Sequence, residues 1–186
     1  MYGVELLISE HVNIKRMAVV MRKASLSVMA GGELVVSDFD QMVDFVRNYA
    51  DKHHHMKEEL ILFDFMKKEL GAVAEKLITH GMMVEHDLGR LHMMELDEAL
   101  RKYEETKSQE AKLDVIVNAT AYTYLINRHI EKEDTVVFAF GEKNLSEESC
   151  FDVNKKTKEI EEKAAEEKIQ EKYLSVLVSL EEKYVK

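Results

Sequence analysis

Histidines are the residues of this sequence best suited to chemistry, and in two of the predicted helices a histidine is followed by a glutamate four positions later. His54 precedes Glu58, and His129 precedes Glu133. Four residues complete slightly more than one turn of an α-helix, so each pair lies on one face of its helix. Two such pairs on different helices can meet at one point inside a helical bundle.

Two further helices supply one inward-facing histidine each. His11 lies on an apolar stripe of the first predicted helix, and His86 lies on that of the third, shortly after Met82 and Met83. Buried together without a cation, these groups would cost several kcal/mol in desolvation and repulsion. A pair of cations would turn them into a ligand shell, in which a glutamate from each of two helices bridges metals about 3.5–4 Å apart. The predicted metal ligands are His11, His54, Glu58, His86, His129 and Glu133.

The same residues bear on which metal binds and on which face of the second helix points toward it. Imidazole and carboxylate without thiolate suit iron, manganese or zinc. His55 and Glu59 form a rival pair rotated by about 100° from the first pair. The apolar residues nearby favour the pair His54 and Glu58. His55 would then either flank the site or face a neighbouring helix, and Glu59 would lie behind the ligands.

Three more residues have open interpretations. Tyr122 precedes His129 by seven positions and lies on the same face, so its hydroxyl either meets a bound ligand or is hydrogen-bonded elsewhere in the core. His80 and His92 lie six positions on either side of His86, off its face, and are predicted at the surface or at a helix interface.

The elements that must position these residues are four helices followed by a charged tail. Apolar periodicity predicts helices over about 4–28, 37–70, 72–105 and 108–140. Gly31-Gly32 and Leu70-Gly71 are expected to end the first two, and Ser37 with Asp40 resembles a capping box. Gly81 and Gly89 inside the third helix suggest close helix packing. We therefore predict an all-α, up-down four-helix bundle over 1–142 and a charged helical extension over 143–186 that forms one additional helix.

Composition excludes several classes of function. The chain has 186 residues, no proline, seven glycines and a net charge of −10, so nucleic acid and anionic membranes should repel it. It has no long apolar run and no signal pattern, so we expect it neither to insert into a membrane nor to be secreted. A single cysteine, Cys150, suits a reducing cytoplasm. No phosphate-binding glycine loop or nucleophilic triad stands out.

Four segments together resemble the hemerythrin-like, or HHE cation-binding, domain. They span about residues 1–142: Glu10-His11, His54 to Phe63, Glu85-His86 with Gly89-Arg90, and His129 to Asp134 ahead of Val137-Phe138. The resemblance implies a non-haem di-iron centre, bridged by carboxylates and an oxo or hydroxo group, on the six ligands named above.

The sequence departs from oxygen-carrying hemerythrin at three positions. Met82 stands where a second histidine of the third helix is expected. The last carboxylate ligand of hemerythrin is an aspartate five positions after the last histidine, whereas here Glu133 follows His129 by four positions, although Asp134 is present at the fifth. Asp64 replaces a proline that is frequent in the family. One metal is therefore expected to lack a ligand, with water, Glu59 or His55 as candidates to replace it.

These features predict a di-iron protein that binds, senses or reacts with dioxygen, nitric oxide or peroxide. The alternatives are a di-iron oxidoreductase (peroxide reduction, catalase-like chemistry or iron–sulfur repair) and a metal-stabilised interaction module. The charged extension is expected either to pack on the outside of the bundle or to pair with a second copy of the chain.

Overall fold

The computed structural model describes all 186 residues, and the chain is 92% helical with no strand. The prediction of an all-α helical bundle is confirmed. No helix is long and apolar enough to cross a membrane. The α-helices, in chain order, are α1 (Tyr2–Met29), α2 (Val36–Phe45), α3 (Phe63–Leu77), α4 (Met83–Thr106), α5 (Gln109–Lys132), α6 (Phe138–Asn144), α7 (Glu147–Glu166) and α8 (Ile169–Tyr184).

Glycines make the two predicted turns. Gly31 follows α1 with a φ of +96°, and Gly71 breaks α3 with a φ of +64°, so the chain reverses where the sequence indicated. The predicted capping box at Ser37 is wrong: α2 begins after Val35, and no side chain caps it. Serine caps occur instead at α5 and α7, where Ser108 and Ser146 accept hydrogen bonds from the backbone N–H groups of Ala111 and Ser149.

Wide π-helical turns interrupt the long helices near the predicted ligands. They cover Val46–His55, Glu58–Leu62, Ile78–Met82 and Glu133–Val137. Three consecutive residues span about 200° of an α-helix, which would normally send one of them to solvent. His53, His54 and His55 are nevertheless all buried. The π-helical turn re-aims these side chains, as such turns frequently do at functional sites.

A layer of buried polar side chains separates two apolar clusters. One cluster contains Ile14 and Ile126, and the other contains Leu7 and Val137. Along α1, His11 lies between the apolar residues of the two clusters, and the other predicted ligands occupy the same level in their helices. Apolar packing on both sides therefore holds the polar layer.

The extension is two helices rather than the single one predicted, because Lys168 adopts a left-handed conformation between α7 and α8. Both pack on this chain's own α1. Gly3 of α1 permits a close approach, since a Cβ there would lie 3.1 Å from Thr157 Oγ1 of α7. On α8, Leu177 is buried in the apolar cluster that contains Ile14 and Ile126.

Close packing does not explain the glycines of the third predicted helix. A Cβ on Gly81 would meet nothing within 4 Å. One on Gly89 would meet Tyr122 and Leu125 at the ordinary contact distances of 3.6 and 3.9 Å. Gly89 instead lines a cavity, described below.

Candidate metal centre

The six predicted ligands converge in the polar layer, and every one is buried. They form two adjoining groups. Ligand atoms of His11, His54, Glu58 and Glu133 lie within 4.8 Å of one another, as do those of His55, His86 and His129. His86 Nε2 and His129 Nε2 are 3.1 Å apart, close to the spacing of two neighbouring ligands at about 2.1 Å from one metal.

Each of the two glutamates among the predicted ligands faces both groups. Glu58 Oε1 lies 3.3 Å from His54 Nε2, whereas its Oε2 lies 3.5 Å from His86 Nε2. Glu133 Oε2 lies 3.3 Å from His11 Nε2, whereas its Oε1 lies 3.1 Å from His129 Nε2. The two carboxylates therefore join the groups in the way that bridging carboxylates join two metals.

Unsatisfied polar atoms support a metal pair at this place. The buried side-chain atoms without a hydrogen-bond partner are few, and all but one, Tyr122 Oη, belong to the group formed by His11, His54, Glu58 and Glu133. Buried polar atoms are normally paired, and a buried carboxylate without partners is costly. Coordination to a cation would satisfy all of these imidazole and carboxylate atoms, so the residues present fit a metal pair.

A ring of outer carboxylates orients the histidines. Each of the four histidines directs Nδ1 at an acidic residue of a neighbouring helix, which turns Nε2 toward the centre. The donor–acceptor distances are 2.8 Å for His54 to Glu10, 2.7 Å for His86 to Glu59, 2.9 Å for His129 to Glu85 and 2.7 Å for His11 to Asp134.

This ring has a sequence signature that the ligand spacing alone does not reveal. Each acid directly adjoins a predicted ligand of its own helix but serves a ligand of another helix, as Glu10 beside His11 serves His54. Each also binds a cation three or four positions beyond the histidine it serves. Those cations are Lys57, Arg90, Lys132 and Lys15. Asp134, a candidate ligand by family spacing, thus contacts His11 from outside the centre.

Burial and charge perturb the ionisation of the metal-free site. Burial lowers the pKa of His54, but the negative charge of Glu58 and further hydrogen bonds outweigh it and raise that pKa to about 10. Burial likewise lowers the pKa of His129, and the charge of Glu133 and its neighbours raises it to about 10. The pKa of Glu133 is held far below its usual range in spite of burial, because His129, His11 and His86 surround it. Without metal, the centre therefore holds protons on imidazoles beside ionised carboxylates.

His55 is brought to the half of the centre that contains His86. Its ring stacks on His86 with centroids 3.8 Å apart and planes 9° apart. Its Nδ1 lies 3.2 Å from Asp51 Oδ1, and burial followed by the charge of His86 lowers its pKa to about 4. His55 is therefore a neutral imidazole stacked on His86.

A cavity of about 250 Å³ opens onto the same half of the centre. His55, His86 and His129 line one side of it, and Tyr122 and Leu125 line its wall. Tyr122 is buried with its hydroxyl unpaired, so the alternative of a tyrosine satisfied elsewhere in the core is wrong. Among the remaining histidines, His80 is exposed, and His92 is half-buried beside Asn118 of α5.

Comparison with known protein families agrees with a metal-binding helical bundle. The model of the hemerythrin HHE cation-binding domain family matches residues 2–140. The chain belongs to the hemerythrin family. Comparisons with curated proteins and with solved structures gave no match. The hemerythrin match ends before α7, so the two helices of the extension lie outside the family domain.

Proposed function

We propose that this hemerythrin domain holds two iron ions and binds or senses a small uncharged molecule, namely dioxygen, nitric oxide or peroxide. The six predicted ligands would hold the metals, with Glu58 and Glu133 as bridges. Iron, when bound, would supply a redox-active Lewis acid for such a molecule. The observation that carries this proposal is the cavity, which adjoins the His86 and His129 half of the centre.

The cavity wall favours a small and uncharged ligand. Methionine, leucine and isoleucine side chains form much of it, and they offer nothing to replace the hydration of a charged molecule. The two arginines at the cavity are already paired, Arg47 with Asp97 and Arg90 with Glu59. Tyr122 is the unpaired donor of the wall, and its hydroxyl can donate a hydrogen bond to a ligand inside.

The test begins with anaerobic reconstitution with ferrous iron, elemental analysis and optical spectra before and after addition of each ligand. About two irons per chain and a spectral response are expected. Refusal of iron by the folded protein would overturn the proposal. Repeated consumption of peroxide would extend it to an oxidoreductase.

Two matched glycine variants test the role of the cavity. Gly89→Leu should fill the cavity, whereas Gly81→Leu places the same side chain on the same helical stretch outside it. We expect both variants to retain iron and Gly89→Leu alone to slow the reaction with nitric oxide by at least about tenfold. Equal rates in the two variants would contradict ligand access through this cavity.

A further inference from the structure

The ammonium of Lys57 is enclosed on all sides next to the centre, and its side chain is 0% exposed. It donates to Glu10 Oε1, to Glu161 Oε1 at 2.5 Å and toward His53 Nε2 at 3.1 Å. An ammonium has three N–H donors, so Lys57 is fully satisfied. Glu10, His53 and Glu161 have the spacing of a metal site, but the Lys57 ammonium already lies among them.

Lys57 differs from the other three cations of the outer ring. The side chains of Lys15, Arg90 and Lys132 are 41, 37 and 45% exposed, so water completes their solvation. At Lys57 a second carboxylate takes the place of water. That carboxylate, Glu161, belongs to α7, which lies beyond the part of the chain matched by the family.

Glu161 is linked to a predicted ligand through two intermediate groups. Lys57 binds one oxygen of Glu10, and the other oxygen of Glu10 accepts the Nδ1–H of His54 at 2.8 Å. Gln170 of α8 donates to the second oxygen of Glu161 at 3.0 Å and holds that carboxylate in place. Outer partners of this kind fix the orientation of a ligating histidine and commonly change metal affinity 10–100-fold when removed.

We propose that Glu161 is a positioning residue of the metal centre, which holds His54 in its ligating orientation through Lys57 and Glu10. The proposal rests on the proposed function and adds that the C-terminal extension is part of the centre's support. Without the negative charge of Glu161, the buried Lys57 ammonium loses one of its two carboxylates. Lys57 then competes with His54 for Glu10 or moves toward water, and either change loosens the His54 ring.

Glu161→Gln and Glu162→Gln in the full-length protein form a matched pair, because both remove one charge from α7 but Glu162 is exposed. The metal-loaded variants are challenged with an excess of chelator, and metal release is followed in time. One metal, that of the His11 and His54 group, should leave about tenfold faster from Glu161→Gln, with the other unchanged. Equal release from the two variants, or equal acceleration of both metals, would overturn the proposal.

A second variant tests the route through Lys57. If Glu161 acts through this ammonium, Lys57→Gln should accelerate release of the same metal, and the double variant should be no faster than the more affected single variant. Multiplicative effects of the two substitutions would overturn the route through Lys57.

A readout on the metal-free protein separates this inference from the proposed function. The Nδ1–H of His54 is observed by NMR of protein with ¹⁵N-labelled histidine. We expect it to exchange with water faster in Glu161→Gln than in Glu162→Gln. If the wild type refuses iron while this exchange responds, the proposed function fails and the positioning role stands. If Glu161→Gln lowers the unfolding midpoint but leaves His54 exchange unchanged, Glu161 is only structural and the inference is wrong.

Discussion

Metal uptake should release at least two protons per chain near neutral pH, one from His54 and one from His129, with a further contribution from His86. Burial lowers the pKa of His86, but the surrounding glutamates outweigh it and raise that pKa. The imidazoles of His54 and His129 both have a pKa of about 10 in the metal-free protein, because ionised Glu58 and Glu133 stabilise their charged forms against the cost of burial. A metal requires the unprotonated Nε2, so each bound metal must displace a proton that the site holds well above neutral pH.

The magnitude follows from the distance between this pKa and the working pH. At about pH 7.5, removing a proton from a group with a pKa of about 10 costs about 3 kcal/mol for each imidazole. The apparent affinity of each half should therefore rise about tenfold for each pH unit between about 6.5 and 8.5.

Calorimetric titration with zinc, which has no redox chemistry, measures this effect. The titration is repeated at one pH in two buffers of different ionisation enthalpy, and the difference in heat gives the number of protons released. His80→Ala serves as the control, because His80 is exposed and should leave that number unchanged. A pH-independent affinity without proton release would refute the ionisation state inferred for the centre.

The same imidazoles predict how the stability of the metal-free protein depends on pH. Their pKa in the folded state lies above the unfolded value of about 6.5. Their contribution to stability is therefore complete below about pH 6.5 and is lost as the pH rises through about 10. Urea unfolding should show a loss of several kcal/mol between pH 7 and 10 without metal, and a much smaller loss with zinc bound.

Three further predictions concern single residues. His129→Ala should abolish stoichiometric metal binding and destabilise the metal-free protein by about 3 kcal/mol, because Glu133 loses its nearest imidazole. Elemental analysis measures the metal content, and urea unfolding measures the stability. His92→Ala is the control and should retain metal. Tyr122→Phe should raise the unfolding free energy by about 1 kcal/mol, since it removes an unpaired buried hydroxyl, yet weaken binding of nitric oxide in an optical titration. Gly71→Ala should cost about 1 kcal/mol in urea unfolding, because its φ of +64° combined with a ψ of −144° is a conformation that residues with a Cβ rarely adopt. An unchanged midpoint would contradict this.

The sequence was sufficient for the all-α fold and for the predicted ligands that the structure brings together. Helical periodicity carries that information, because residues four apart share a face of an α-helix. The break at Gly71 was readable for a similarly local reason, since glycine tolerates a positive φ. The membership of the hemerythrin family also follows from strings of residues that lie close together in the chain.

Tertiary structure alone decided how these groups are supported. The choice between His54 and His55 assumed α-helical geometry, whereas a π-helical turn buries both rings and stacks His55 on His86. The acids beside the ligands were visible in the sequence, but only packing shows that each orients a histidine of another helix. The contact between Glu161 and Lys57 joins residues 104 positions apart, and no local pattern encodes such a pair because it depends on where the extension folds back.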